Sequence, residues 1–254
     1  MAKTIKFVQN ILMKLYILAF GVHPDDVELG CGGTIISAIA DGKKVGIIDL
    51  TEGELGTRGT VKTRYEEATA AAKVMGVEVR ENLKMEDGFF KHDKKNVRLV
   101  IEKIRKYQPD IILCNAPEDR HPDHGRSSKM VAEAAFLAGL RKVETKDDGK
   151  KQEPWRPSYV FHYIQDRYLQ PSFVIDITSS FEKKMEAVSC YTTQFISNAS
   201  KDPQTYISSP QFLESIKARA LMLGKRIGVG YAEGFVSEKT LGLSSFDAII
   251  QNVT

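Results

Sequence analysis

An apolar run, Leu15 to Val22, stops abruptly at His23-Pro24-Asp25-Asp26. Eight residues without a charge read as a strand buried on both faces. Such a strand has no structural use for an imidazole and two carboxylates at its end. The tip of a strand that presents functional groups does, so the chain is read as an arrangement that brings this tip into contact with others.

The pattern repeats downstream. Residues 44–50 form a second buried strand, residues 77–83 a third and residues 109–115 a fourth. Between them, helical spacing marks residues 34–41, 61–75 and 96–107, and His124 opens a further helix to about residue 140. The glycines at 30, 32 and 33 precede the first of these helices and allow tight turns or close backbone approach. Strand and helix in alternation predict an α/β fold: a Rossmann-like three-layer α/β/α arrangement around a mostly parallel sheet. Ligands of such sheets bind at the C-terminal ends of the strands. The polar loops at 23–33, 51–60 and 116–124 all fall on that edge. Later, residues 156–164 and 172–177 read as strands, 179–191 and 210–227 as helices, and 228–235 as a closing loop or short strand.

No repeat or linker divides the chain, which predicts one domain over residues 14–254. Residues 1–13 are set apart as a candidate leader, and the charged segment 141–155 as an exposed insertion. Lys14 interrupts the longest apolar run far short of a bilayer span, which argues against a membrane protein. Basic and acidic residues nearly balance, 36 against 33. With no cationic run, that argues against a nucleic-acid partner. Three widely spaced cysteines, Cys31, Cys114 and Cys190, form no disulfide framework and fit a reducing cytoplasm.

The second functional tip is His121-Pro122-Asp123-His124, again just beyond a buried strand. His-Pro-Asp alone is ordinary turn chemistry, in which proline sets φ and aspartate caps the next turn. Two such loops on one sheet edge are a different matter. Imidazoles mixed with a carboxylate suit Zn²⁺, and three protein ligands leave a position for catalysis.

The stretch from His23 to Thr34 (HPDDVELGCGGT), taken with His121-Pro122-Asp123-His124, resembles the LmbE-like, or PIG-L-like, zinc N-deacetylases of N-acetylglucosaminyl substrates. The loop Thr51 to Thr60 (TEGELGTRGT) and the stretch Tyr231-Ala232-Glu233-Gly234-Phe235 are similar to the branch serving bacillithiol biosynthesis, which deacetylates N-acetylglucosaminyl-malate. The resemblance implies one Zn²⁺ per chain, held by His23, Asp26 and His124. It implies Asp25 as general base, and His121 as acid or oxyanion stabiliser with Asp123 orienting it. Arg64, Arg120 and Tyr206 are the implied substrate-binding residues, with the alternatives of a solvated arginine for Arg64 and a packing role for Tyr206. Glu28 is a partner to the site or a helix cap. His92 and His162 match no motif and read as surface and core residues. The implied partner is a small GlcNAc conjugate, and the implied assembly a homo-oligomer, a hexamer. A mycothiol-type or chitooligosaccharide substrate is the nearest rival. A non-catalytic module is a more distant one, either binding a sugar or nucleotide, against which GCGG lacks the spacing of the dinucleotide-binding glycines, or stabilised by zinc for interaction with a partner.

Overall fold

The computed structural model describes residues 13–196 and 202–249. The candidate leader therefore lies, apart from Met13, outside the described residues. Four strand–helix units open the chain: β1 (Ile17–Gly21), α1 (Asp26–Ala40), β2 (Val45–Thr51), α2 (Val61–Met75), β3 (Val79–Met85), α3 (Lys94–Tyr107), β4 (Ile111–Asn115) and α4 (Pro122–Ala138). A hairpin of two-residue strands follows, β5 (Lys146–Asp147) and β6 (Lys150–Lys151). Then come β7 (Tyr159–Tyr163), β8 (Phe173–Asp176), α5 (Phe181–Ser189), α6 (Thr192–Phe195), α7 (Pro210–Ile227) and β9 (Ala232–Ser237).

The main sheet has seven strands in the order β3-β2-β1-β4-β7-β9-β8. Pairing is parallel from β3 through β7, and β9 runs antiparallel to both β7 and β8. The closing segment after α7 is thus a full strand inside the sheet. Alternation along each inner strand divides the core into two layers. Ile17 and Ala19 of β1, with Val45 and Ile47 of β2, pack under α1, α2, α5 and α7. Leu18 and Phe20, with Ile48 and Leu50, pack under α3 and α4. Period-two side-chain placement in an unbroken apolar strand is what a sheet covered on both faces requires.

Helix α1 differs from the sequence expectation. It begins at Asp26 rather than Thr34, and runs through the glycine cluster with one break, at Cys31 (φ −145°, ψ 18°). The glycines serve packing. A Cβ on Gly30 would lie 2.2 Å from the Tyr163 ring, and one on Gly33 would lie 2.8 Å from Ile177. The break is covered from β9: Glu233 accepts from the main-chain amides of Gly33 and Thr34 at 3.0 and 2.7 Å, and Lys184 balances its charge at 2.6 Å. A buried carboxylate so partnered is tolerable where a bare one is not.

The segment 141–155 is mostly exposed, and its buried residues are Thr145 and Gln152. Arg105 of α3 is buried and donates to the carbonyls of Ala138, Leu140 and Val143 and to Thr145 Oγ1, docking the segment on the domain. Among the described residues, no helix is long and apolar enough to cross a membrane.

Candidate active site

In the strand order, β1 sits between β2 and β4, so successive units leave the sheet in opposite directions at the β1/β4 boundary. A crevice opens at such a point beyond the strands' carboxyl ends. The turn after β1 carries His23 to Asp26, and the loop after β4 carries Asp119 to His124. The two expected loops meet here. The rings of His23 and His121 lie 4.7 Å apart, and those of His23 and His124 5.7 Å apart. The three histidines bring one ring nitrogen each within 4.8 Å of one another. Asp26 reaches into the same cluster, with one oxygen 3.5 Å from His23 Nδ1 and the other 3.3 Å from His124 Nε2.

Each of these groups is aimed by a second residue. Asp26 accepts from Asn115 Nδ2 at 3.0 Å and from Gln165 Nε2 at 2.8 Å, one amide for each oxygen. His124 Nδ1 meets Asp119 at 2.7 Å, and His23 Nε2 meets Asp87 at 3.0 Å. Imidazole backed by carboxylate is the usual arrangement behind a metal ligand, because it fixes the tautomer and raises basicity. The protonation balance fits the same purpose. Burial, the largest influence on both rings, works against a charge. The bonds and fields of Asp26 with Asp87 still raise His23 to about 10, and those of Asp26 with Asp119 raise His124 to about 9. The pocket thus attracts positive charge strongly, and a divalent cation can replace those protons. By donor type, convergence and charge, the residues fit Zn²⁺.

Asp25 is adjacent to Asp26 but differently placed. It is buried and receives Arg64 Nη1 at 3.0 Å, and the same nitrogen donates to Pro24 O at 2.9 Å. Burial raises its carboxyl most, Arg64 opposes, and the Asp26 charge adds to the rise, leaving it at about 7. A carboxyl poised there is suited to taking and giving protons near neutrality. Its backbone is left-handed, φ 139°, the first turn of α1 being wound directly onto the strand tip. Arg64 is not the solvated arginine of the alternative reading. It is buried, lines the pocket and holds Asp25.

His121 caps α4, its Nδ1 accepting the main-chain N–H of Asp123 at 3.3 Å. Burial, then the charges of His23 and His124, lower its pKa, so the ring is neutral. The Asp123 side chain bonds otherwise than expected. Its carboxylate accepts from Gly88 N at 2.8 Å and Arg126 Nη1 at 2.6 Å, and it is the Asp123 amide that meets His121. Arg120 and Tyr206 stand at the rim. The guanidinium lies 4.5 Å from the Tyr206 ring centroid, and both side chains bond Asp166. The cleft these groups line measures about 290 Å³, the size of a small-molecule site.

Glu28 lies outside the cleft, in a buried network with Arg80, Asp49 and the Tyr191 hydroxyl that braces α1 on β2 and β3. His92 is partly exposed and paired with Glu133, and His162 is buried, both as read. Sequence reading missed Asp87, Asn115, Asp119, Gln165 and Asp166. Two of these left a signal: Asn115 is a polar end on the apolar strand IILCN, and Asp119 sits inside a loop already singled out. The other three lie in unremarkable polar stretches.

Comparison with known proteins agrees with the geometry. Residues 18–135 match the family model of the GlcNAc-PI de-N-acetylases, PIG-L. The chain is 29% identical over 228 residues to a diacetylchitobiose deacetylase of Thermococcus kodakarensis, covering 86% of this chain and 81% of that protein. It is 28% identical over 192 residues to a 4-oxalmesaconate hydratase of Pseudomonas putida, covering 70% and 73%. Among solved structures, the conserved protein TT1542 of Thermus thermophilus superposes with a TM-score of 0.81 at 34% identity, covering 91% of this chain and 98% of that one.

Proposed function

We propose that the chain is a de-N-acetylase of the PIG-L kind, whose family model matches residues 18–135, and that it hydrolyses the acetamide of a small N-acetylglucosaminyl conjugate, using one Zn²⁺ held by His23, Asp26 and His124. The observation that carries this reading is Asp25: a buried carboxylate beside the ligand cluster, bound to Arg64 and available for proton transfer. A Zn²⁺ at the cluster would supply Lewis acidity toward the acetamide carbonyl and toward water. Asp25 takes the proton of the attacking water and, once protonated, gives it to the departing amine. Arg64 keeps Asp25 in place and ionised when empty of its proton. His121, neutral and with Nδ1 occupied by an amide, carries its proton on Nε2 and donates it in a hydrogen bond to the developing oxyanion. Asp123 fixes His121 through the shared α4 turn.

Two aglycones compete. The likeness of loop 51–60 to the bacillithiol branch points to malate; the name of the T. kodakarensis relative points to a second sugar. In this reading the enzyme works in the cytoplasm and self-associates, as a hexamer, which light scattering of the purified protein tests.

The deciding assay is amine release from GlcNAc-malate, GlcNAc-inositol and diacetylchitobiose, with and without chelator. Chelator-sensitive release is expected from at least one. Loss of metal in His124→Ala, with metal retained but turnover lost in Asp25→Ala, is expected alongside. Water addition to an unsaturated acid without amine release from any substrate would place the chain with its hydratase relative instead.

A further inference from the structure

Among the described residues three arginines line the cleft, and each is paired through at least one of its nitrogens. Arg58 spends its guanidinium on the main-chain carbonyls of Thr193, Ile196, Asp202 and Pro203. Arg64 holds Pro24 O and Asp25. Of these three, Arg120 stands at the mouth, half-exposed, where the part of a conjugate beyond the acetylated sugar would lie. Its Nε donates to Asp166 Oδ2 at 2.7 Å, and Asp166 Oδ1 accepts the Tyr206 hydroxyl at 3.1 Å.

Asp166 is held firmly. The residue before it, Gln165, bonds Asp26, and the amide of the residue after it, Arg167, bonds Asp119 at 2.7 Å. Arg219 donates to its main-chain oxygen from behind at 3.4 Å. The carboxylate is therefore a fixed part of the wall. Among the described residues no lysine lines the cleft, so none of these offers an uncommitted cation to a second carboxylate.

We propose that Asp166 determines substrate specificity: by neutralising Arg120 it makes the outer wall admit a neutral polyhydroxyl aglycone and reject an anionic one. A carboxylate arriving at Arg120 must lose water beside an existing carboxylate, and the opposing charge that would compensate it is already engaged. A sugar ring asks less. The exposed Tyr206 ring offers an apolar face, and the terminal nitrogens of Arg120, with no hydrogen-bond partner among the described residues, suit hydroxyl groups.

The inference rests on the deacetylase reading, and the test separates the two. Zinc-loaded wild type, Asp166→Asn and Arg120→Gln are assayed on diacetylchitobiose and GlcNAc-malate, and the ratio of the two kcat/KM values is followed. Wild type is expected to prefer diacetylchitobiose. Asp166→Asn frees the Arg120 charge and should shift the ratio at least tenfold toward GlcNAc-malate. Arg120→Gln removes that charge and should shift it the other way. A wild-type preference for GlcNAc-malate, a shift below tenfold in Asp166→Asn, or shifts of the same sign in both variants overturns the proposal. If wild type with full metal content releases amine from neither substrate, it is the deacetylase reading that fails. Should Asp166→Asn not fold, Arg120→Gln decides by the direction of its shift.

Discussion

Asp25 holds a backbone conformation that residues with a Cβ rarely adopt, φ 139° and ψ −24°. Such strain costs about 1–3 kcal/mol and is stored where surrounding contacts over-determine it. Here the contacts are the strand tip below, α1 beginning at the next residue, and Arg64 at the side chain. The arrangement aims neighbouring carboxylates at different tasks, Asp26 into the histidine cluster and Asp25 toward the cleft. Replacing Asp25 loses the Arg64 pair whatever the substitute, so the strain shows in a comparison of two substitutes. Asp25→Gly should be more stable to urea than Asp25→Ala by about 1 kcal/mol, the reverse of the usual cost of glycine. Equal midpoints would mean that the conformation is not strained. Both variants should lose activity by about 10²–10⁴-fold, the span of general acid–base catalysis. At this scale the sequence was informative about residues inside motifs and silent about their supports. His23, Asp25, Asp26, His121 and His124 were legible because strand tips have no structural need for them. Gln165 and Asp166 were not, because an ordinary polar pair gains its meaning only from β7 standing beside β4.

Elements whose ends carry their own stop signals were read to the residue. Helix α2 starts after the Thr60–Thr63 capping box and stops at Gly76, and α7 starts at Pro210 and stops at Gly228. Helix α1 was misread because its glycines disfavour a helix locally, while packing against β7 demands them. A methyl group at Gly30 would meet the ring of Tyr163, whose hydroxyl is anchored to Phe20 O at 3.0 Å and so cannot swing away freely. Gly30→Ala should therefore destabilise by about 1–3 kcal/mol, the usual cost of overpacking, although alanine is the better helix former. A gain in urea midpoint would show that propensity outweighs the contact. At the outer edge, β3 and α3 are tied by Glu81, which accepts from Lys103, Lys106 and Tyr107. Burial pushes that carboxyl up, but the hydrogen bonds from Lys103, Tyr107 and Lys106 together bring it down to about 2. A folded-state pKa below the unfolded one contributes stability that is complete above the unfolded value and fades as pH falls toward the folded one. The melting-temperature deficit of Glu81→Gln should hold steady above about pH 5 and shrink between there and pH 2, since the unfolded carboxyl titrates near 4.3. A deficit unchanged at pH 2.5 would assign the effect to packing.

Across the whole molecule, the site exists because strand order brings together groups distant along the chain. Alternating strands and helices predicted which edge the loops share. They did not predict that β9 would enter antiparallel, because a short strand after a long helix pairs in either direction with equal local plausibility. Nor does spacing reveal that β1 and β4 are neighbours; that follows from the sheet's reversal at β1. Metal binding should then report on the assembled domain rather than on one loop. The proposed ligands come from the ends of β1 and β4, and Asp26 is braced from Asn115 and from the loop after β7. An ion that binds only this arrangement stabilises the fold by about 2.7 kcal/mol at a free concentration one hundred times its Kd. In a domain of this size each kcal/mol moves the melting temperature by about 2–4 °C. Chelation should therefore lower the melting temperature by about 5–10 °C, and Zn²⁺ should restore it. His124→Ala should melt at the same temperature with and without chelator. Asn115→Ala should retain a reduced response, since it removes a support for Asp26 and leaves the ligand itself. A wild-type melting temperature indifferent to chelator and to added Zn²⁺ would show that the histidine cluster holds no ion, and the assignment of its residues as ligands would fall.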